Sequence, residues 1–136
     1  MVKNYQDIIK KYFESHSFVE SNIQSFNMFI ERGMQKIVNE VSEIIPTIIP
    51  QEVENFKIKL GRVWVEKPQV TEADGSKRKI YPMEARLRKL TYSASVFLEV
   101  SAHIDSVQKE SFVAEIGKIP IMVRSKYCHL YGCKKD

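Results

Sequence analysis

The sequence has little cysteine, little glycine and no long apolar segment. Its 136 residues include two cysteines, Cys128 and Cys133, and five glycines. Two cysteines close together are too few for the disulfide framework of a small secreted protein. No apolar run approaches the roughly 18 residues of a membrane-spanning helix, and the N-terminus lacks the apolar core of a signal peptide. We therefore expect a cytoplasmic protein that has no membrane partner.

The common catalytic motifs are also missing. The sequence has no glycine-rich phosphate loop, no Gly-x-Ser-x-Gly nucleophile elbow and no pair of carboxylates beside a histidine. The nearest approach to a metal site is CHLYGC, where Cys128, His129 and Cys133 offer three ligands although a structural zinc ion takes four. This segment holds either a zinc ion or reduced thiols that pack as small apolar groups. The residues alone thus give no recognisable catalytic motif or cofactor site, and they leave the zinc ion and the reduced thiols as alternatives.

What the sequence does have is positive charge that is unevenly distributed. The net charge is +4, and the 43% hydrophobic and 28% charged content is that of a globular protein. Residues 57–89 carry 10 basic and 4 acidic side chains, whereas residues 1–56 carry 5 basic and 8 acidic ones. Such segregation favours a polyanionic partner such as nucleic acid, and its alternative is a solvated face that keeps the protein dissolved.

The N-terminal third of the chain has the periodicity of amphipathic helices. Apolar residues recur at helical spacing over 5–13 and again over 23–41. Ser21 or Asn22 is suited to cap the second helix. We therefore assign residues 1–45 as helical.

From residue 56 the apolar period changes to two, which predicts strands. Phe56, Ile58 and Leu60 alternate with polar residues, and the parity then shifts, so a bulge is expected near Gly61. Further strands are expected over 91–105, 111–117 and 119–124, the last two separated by a bend at Gly117 and Pro120. Residues 56–130 are thus assigned mainly to strands. The expected class is α+β, one domain over 1–136 with N-terminal helices and a largely antiparallel sheet.

A basic cluster lies between the first strands. Asp74 and Gly75 predict a tight turn that would hold Lys77, Arg78 and Lys79 in solvent at a loop tip. Pro82 is suited to begin a short helix, YPMEARLRK, that carries Arg86, Arg88 and Lys89.

The two arginines of this short helix are expected to differ in role. Glu84 stands four residues before Arg88, at the spacing that favours a helical ion pair, so Glu84 and Arg88 are assigned a structural role. Arg86 cannot share their face, and it joins Lys77, Arg78 and Lys79 as a candidate nucleic-acid contact.

Three ordered motifs then carry a family resemblance. They are VESNIQSFNMFIERGMQKIV, the stretch from GRVWVEKPQVTEADGSKRKIYPMEARLRK to LTYSASVFLEV, and EIGKIPIMVRSKYCHL. Over about residues 18–130 the chain resembles the N-terminal part of the second-largest subunit of archaeal and eukaryotic multisubunit DNA-directed RNA polymerases. The bacterial β subunit shows a distant version of the same order.

The resemblance implies the lobe of that subunit called the protrusion, a mixed α/β lobe on the wall of the DNA cleft. It implies a non-catalytic part of a nucleotidyltransferase, with other polymerase subunits, template DNA and possible transcription factors as partners. The magnesium-binding aspartates and the zinc site of the family lie elsewhere in the polymerase, which argues against Cys128 and Cys133 as ligands. Family members continue beyond CHL, so we expect the sheet to be incomplete at the C-terminus and the chain to be part of a longer subunit. The alternatives are a free-standing basic nucleic-acid-binding module and a protein-docking domain.

Overall fold

A computed structural model describes residues 4–49 and 51–133, so Pro50 and the predictions that fall on residues 1–3 and 134–136 lie outside the described residues. The helical region consists of α1 (Tyr5–Ser15), α2 (Glu20–Met28), a π-helical turn (Phe29–Gly33) and α3 (Met34–Val41). Within residues 4–49 and 51–133, no helix has the length and apolar character needed to cross a membrane.

The start of α2 differs from the sequence prediction. The helix begins at Glu20, so Ser21 and Asn22 lie inside its first turn and neither caps it. The hydroxyl of Ser17 instead accepts a hydrogen bond from the backbone N–H of Val19, at 3.3 Å, and forms the turn that precedes the helix. The capping prediction was wrong because Val19 occupies the N-cap position, and no side chain caps the helix there.

Strands β1 (Glu43–Ile44), β2 (Phe56–Val65), β5 (Ser93–Ile104) and β6 (Val107–Pro120) form an antiparallel sheet in the order β1-β2-β5-β6. Strands β3 (Gln69–Thr71) and β4 (Lys77–Lys79) form a separate hairpin, and helix α4 (Pro82–Leu87) follows it. The α+β class with a mainly antiparallel sheet is confirmed. Strand β1 lies within the segment that the sequence assigned as helical.

The bulge near Gly61 is confirmed, because the register of β2 against β5 shifts between Leu60 and Val63. Gln35 of α3 stabilises it: its side chain donates to the carbonyl of Gly61 at 3.1 Å and accepts from the N–H of Val63 at 3.0 Å. An amide side chain thus supplies the hydrogen bonds that the irregular strand lacks.

The predicted bend at Gly117 and Pro120 is wrong. Strand β6 is continuous, with Gly117 opposite Val96 and Pro120 opposite Ser93. A one-residue bulge absorbs the irregularity, and the proline is tolerated because it stands at the end of an edge strand. Residues 121–133 form turns instead of the predicted strand over 119–124.

The core lies on one face of the sheet, under the π-helical turn, α3 and the turns of 121–130. It contains Ile30, Val63, Val65, Ala94, Val96, Leu98, Ile121 and Cys128. Phe26 and Met34 pack against it, as helical spacing predicts. The apolar side of α1 behaves differently, because Tyr5, Ile8 and Ile9 are more than half exposed.

Candidate functional site

The β3–β4 hairpin is closed by the predicted Asp74-Gly75 turn. Gly75 has a φ of 84°, which a residue with a Cβ adopts only under strain. The carboxylate of Asp74 accepts hydrogen bonds from the hydroxyl and the N–H of Ser76, at 2.6 and 2.9 Å. These bonds lower the pKa of Asp74, so the turn carries a stable negative charge.

Four charged side chains join the hairpin to α4, and we call them the ionic clasp: Glu72, Arg78, Glu84 and Arg88. Arg78 Nε donates to Glu72 Oε1 at 2.7 Å, and the two terminal nitrogens of Arg78 donate to the two carboxylate oxygens of Glu84. Arg88 Nη1 lies 3.3 Å from Oε1 of both glutamates. Each arginine therefore contacts both carboxylates.

The electrostatics of the ionic clasp follow from this geometry. The hydrogen bonds from Arg78, the largest contribution, lower the pKa of Glu84 to about 2. The bonds to Glu84 correspondingly raise the pKa of Arg78. Two cations balance two anions, so the clasp is neutral and holds the hairpin against the helix, and it offers little free positive charge to an anion.

Arg78 is therefore not placed as the sequence suggested. Residues 77–79 form strand β4, so the prediction of a loop tip is wrong, and Arg78 is bound to carboxylates instead of lying free in solvent. The backbone of Glu72 pairs across the turn with Ser76, which extends the hairpin to within one residue of the Asp74-Gly75 corner. Residues 77–79 therefore belong to strand β4 and not to the turn.

Lys77 and Lys79 lie on the other face of β4. Side chains alternate along a strand, so these two lysines point away from Arg78, and their cross-strand neighbours are Thr71 and Gln69. Both lysines are exposed, and among residues 4–49 and 51–133 neither forms an ion pair. This face of the hairpin is a small cationic surface.

Arg86 lies apart from both lysines. It is two residues from Glu84 and two from Arg88, about 200° around the helix from each, so it projects from the side of α4 opposite the ionic clasp. It is exposed and forms no ion pair within the described part of the chain. The four candidate contacts therefore do not form one patch: Arg78 is in the clasp, the lysines are on one side and Arg86 is on the other.

Arg88 occupies the place that its spacing predicted. It follows α4 directly, and its contact with Glu84 is the expected pair at four residues' separation. Its second contact, with Glu72, reaches the hairpin and was not anticipated from the sequence. The structural role of Glu84 and Arg88 remains a prediction.

A second network, missed by the sequence analysis, fixes the base of the hairpin. The buried carbonyl of Pro68 accepts hydrogen bonds from Ile80 N, at 3.4 Å, and from His129 Nε2, at 2.7 Å. Tyr92 donates its hydroxyl proton to Cys128 Sγ at 3.3 Å and accepts the N–H of His129 at 3.2 Å. Burial and the bond to Cys128 raise the pKa of Tyr92.

This network also shows what CHLYGC does. Cys128 is fully buried and its sulfur accepts hydrogen bonds from Tyr92 and from Leu130 N, whereas Cys133 is exposed. The Nε2 of His129 is occupied by a carbonyl. No group of three possible metal ligands occurs within residues 4–49 and 51–133. The segment serves to dock the C-terminal turns on the sheet.

Comparison with known proteins gives the family. A model of the RNA polymerase beta subunit family matches residues 17–136. The chain is 41% identical over 135 residues to DNA-directed RNA polymerase subunit Rpo2N of Methanocaldococcus jannaschii, a match that covers 96% of this chain and 26% of the relative. It is 39% identical over 139 residues to the same subunit of Methanothermobacter thermautotrophicus, with coverage of 100% and 26%.

A eukaryotic relative is similar as well. DNA-directed RNA polymerase II subunit 2 of Arabidopsis thaliana is 35% identical over 150 residues, which cover 95% of this chain and 12% of the relative. The chain thus spans about a quarter, or less, of the length of the curated relatives it matches.

Proposed function

Because the chain belongs to the RNA polymerase beta subunit family, we propose that it acts as part of the second-largest subunit of a DNA-dependent RNA polymerase. The observation that carries the proposal is the similarity to Rpo2N subunits over nearly the whole chain. The chain accounts for only a quarter of those relatives, so its activity depends on the assembled enzyme and not on this segment alone.

In that enzyme we assign the chain to the wall of the DNA cleft, with no catalytic residue of its own. The sequence motifs of the family support this placement, and the ionic clasp, which is neutral and joins two elements, fits a structural role for this part of the chain. Polar groups that bind each other in this way build a rigid surface, and they are not free to act on a substrate.

We further propose that Lys77 and Lys79 contact DNA phosphates, with Arg86 as a separate contact. Their exposure, and the lack of an acidic partner among residues 4–49 and 51–133, support the assignment. Lysines contribute attraction to phosphates without reading bases, because base recognition requires fixed, often bidentate geometry. Arg78 was a candidate from the sequence, and we leave it out because Glu72 and Glu84 occupy its guanidinium group.

The partners follow from the same proposal. They are the remaining polymerase subunits, the template duplex and transcription factors that reach the cleft. The magnesium and zinc ions of the polymerase would be held by other parts of the assembly, and no residue of this chain is assigned to them. We propose a cytoplasmic location, because a polymerase acts on DNA, and DNA lies in the cytoplasm of a cell without a nucleus.

The test is copurification. The chain is tagged within its full natural reading frame, purified at moderate salt, and its partners are identified and quantified by mass spectrometry. We expect the largest polymerase subunit and the smaller subunits in equimolar amounts, together with DNA-dependent RNA synthesis. A monodisperse chain that binds duplex DNA without other subunits would instead establish the free-standing nucleic-acid-binding module, and a different stable protein partner would establish a docking domain.

A further inference from the structure

The helical region around the π-helical turn has an inner side that the rest of the chain holds in place. Ile30 enters the core, and Gln35 binds the bulge of β2. Lys126 donates its backbone N–H to Asn27 and its Nζ to Glu31, at 3.0 and 2.6 Å. The residues between these contacts form the outer side and line a groove of about 400 Å³: Ser25, Met28, Phe29, Arg32, Gly33 and Lys36. The groove therefore lies on a helix that is anchored from behind, and π-helical turns occur frequently at functional sites.

The floor of this outer groove is apolar and exposed. Met28 and Phe29 are 59% and 43% exposed. Single exposed apolar residues are ordinary on a protein surface, but these two are neighbours that line one concave groove. A methionine beside an aromatic ring also adapts to partners of different shape, because its side chain is unbranched and flexible. The floor is therefore suited to receive a large apolar side chain.

Gly33 shapes the groove by having no side chain. Its φ of −62° and ψ of −44° are helical, so the backbone at this position does not require a glycine. Glycine is less favourable than alanine inside a helix. A Cβ here would lie 3.0 Å from Cδ2 of Phe29, so the ring would have to move. The glycine thus lets the Phe29 ring lie close to the helix and keeps the groove open above it.

The rim of the groove is cationic. Arg32 and Lys36 are exposed and stand one helical turn apart, a rise of about 6 Å. Within residues 4–49 and 51–133, Arg32 forms no ion pair, and Lys36 has only a 4.0 Å contact with Glu40 between two well-exposed side chains, which contributes little. Glu31 is held by Lys126 on the inner side. In this part of the chain no acidic side chain lines the groove, so its positive charge is not neutralised from within.

We propose that this outer groove binds an acidic amphipathic helix of another protein. A large apolar side chain of that helix packs on Met28 and Phe29, and its carboxylates lie beside Arg32 and Lys36. Helix recognition uses apolar anchors about one turn apart, with charge complementarity at the rim selecting the partner. Nucleic acid fits less well, because phosphates would meet the cations and leave the apolar floor without a partner.

The character of the groove favours a separate protein over the remainder of the same subunit. Permanent interfaces are large and apolar, and charged residues are depleted at their centres. Here a small apolar floor has two cations beside it, as is typical of a partner that associates and dissociates. The inference goes beyond the proposed function, since it concerns a different element from Lys77 and Lys79. It rests on that function in one respect, because the test uses the assembled polymerase.

The experiment is fluorescence anisotropy with purified polymerase and two labelled synthetic peptides. Each is an alanine-based helix of about 18 residues, long enough to become helical, with leucines along one face. One peptide has glutamates beside the leucines, and the other has lysines at the same positions. We expect the acidic peptide to bind at least about 10-fold more tightly than the basic one.

Charge reversal tests the rim. Arg32→Glu should weaken binding of the acidic peptide about 10-fold or more and strengthen binding of the basic peptide. The matched control is Lys10→Glu, which makes the same change of charge sign at an exposed position of α1. The control should leave both affinities unchanged.

Two further variants test the floor without changing the charge. Met28→Ser should weaken binding of both peptides, because both carry the leucine anchors. Gly33→Ala should weaken binding of the acidic peptide about 5-fold or more, because its methyl group displaces the Phe29 ring. Hydrogen exchange of the α3 amides should stay as slow or become slower in Gly33→Ala, because alanine favours the helix. Weaker binding with an intact helix separates loss of the groove from loss of folding.

The outcomes separate this proposal from the proposed function. Equal or absent binding of the two peptides to an intact polymerase would overturn the groove and leave the polymerase assignment standing. Affinities that Arg32→Glu and Met28→Ser do not change would do the same. Arg32→Glu that lowers affinity for duplex DNA but not for the acidic peptide would show a nucleic-acid contact, which also overturns the groove. Absence of polymerase subunits from the preparation would refute the proposed function, and peptide binding would still be measured on the purified full-length chain. A charge preference that Arg32→Glu reverses, with weaker binding in Met28→Ser and Gly33→Ala, would support the proposal.

Discussion

Replacing Lys77 and Lys79 by alanine should reduce the salt dependence of DNA binding by the assembled polymerase. Both lysines lie on the face of β4 that points away from α4, and neither has an acidic partner in the described part of the chain. Cations that contact phosphates release condensed counterions, and the release appears as a linear fall of log affinity with log salt concentration. Loss of the two contacts should therefore lower the slope of log affinity against log salt concentration, and unfolding would not produce that specific change.

The magnitude follows from the number of free cations. Each phosphate contact contributes about 0.9 to the salt slope, so two lysines contribute about 1.8. Between 50 and 200 mM salt that difference corresponds to a change of about 12-fold in the relative affinity of wild type and variant. A count made from the sequence would include Arg78 and give about 2.7. The structure reduces it because Arg78 is held by Glu72 and Glu84.

The assay is fluorescence anisotropy with a labelled duplex and purified polymerase, titrated at several salt concentrations. The matched control is the double variant Lys10→Ala and Lys11→Ala, which removes the same charge from exposed positions of α1. The control should leave the slope unchanged. The rate of RNA synthesis on a preassembled scaffold should be nearly unchanged in both variants, because we assign neither site to the catalytic centre.

Three results would refute the reasoning. An unchanged slope in the Lys77 and Lys79 variant would mean that the hairpin faces solvent or a protein factor. An equal loss in the α1 control would mean that only the total charge matters. A large loss of catalytic rate on the scaffold would mean that this segment lies closer to the active centre than we propose.

Three further predictions concern the local structure. Arg88→Ala should lower the melting temperature more than Arg86→Ala, because Arg88 contacts Glu72 and Glu84 whereas Arg86 has no ion pair in the described part of the chain; the reverse order in a thermal scan would contradict the assignment. The pKa of Glu84 falls from 4.5 to about 2 in the folded state, so the ionic clasp should stabilise the hairpin fully above pH 4.5 and lose that effect as the pH falls from 4.5 to 2. Amide exchange in β3 and β4 over that range would reveal it, and Glu84→Gln should reduce the pH dependence to the part that Asp74 contributes. Leu98→Ala should lower the free energy of unfolding, measured by chemical denaturation, by about 2 to 5 kcal/mol, because Leu98 is 7% exposed in the core. A decrease below about 1 kcal/mol, which is typical of a surface substitution, would contradict its placement.

The fold was largely predictable from local signals. Helical and strand periods identified α2, α3, β2 and β5, and the change of parity located the bulge at Gly61. These features depend on residues close in sequence, whose pattern is set by the requirement that one face be buried. The same logic misjudged the C-terminal region, because Gly117 and Pro120 have the composition of a bend and yet occupy an edge strand where both are tolerated.

The site was less predictable because it depends on contacts between elements. The helical pair of Glu84 and Arg88 is visible as a spacing of four residues, and the structure has it. The stronger contacts of Arg78, with Glu72 and Glu84, each span six residues and require the hairpin to fold back onto α4. Neither the helical nor the strand period predicts a contact between residues six apart in different elements. The only signal in the sequence was that acidic residues flank the basic segment on both sides.

The arrangement would allow a dense basic segment to serve both structure and the DNA contact that we propose. A strand presents successive side chains on opposite faces, so the run Lys77, Arg78, Lys79 divides its charges without any change of backbone. The middle residue turns toward the helix, where two carboxylates neutralise it and fix the hairpin, and its neighbours are thereby held on the outer face. If Arg78 were as free as the lysines, the hairpin would have three mobile cations, and only the contact of Arg88 with Glu72 and the bonds at Pro68 would hold it. The face of β4 that carries Lys77 and Lys79 therefore stays rigid only while the carboxylates neutralise Arg78 on the opposite face. We expect loss of Glu84 to weaken phosphate contact by the lysines, even though removing an acid makes the surface more positive.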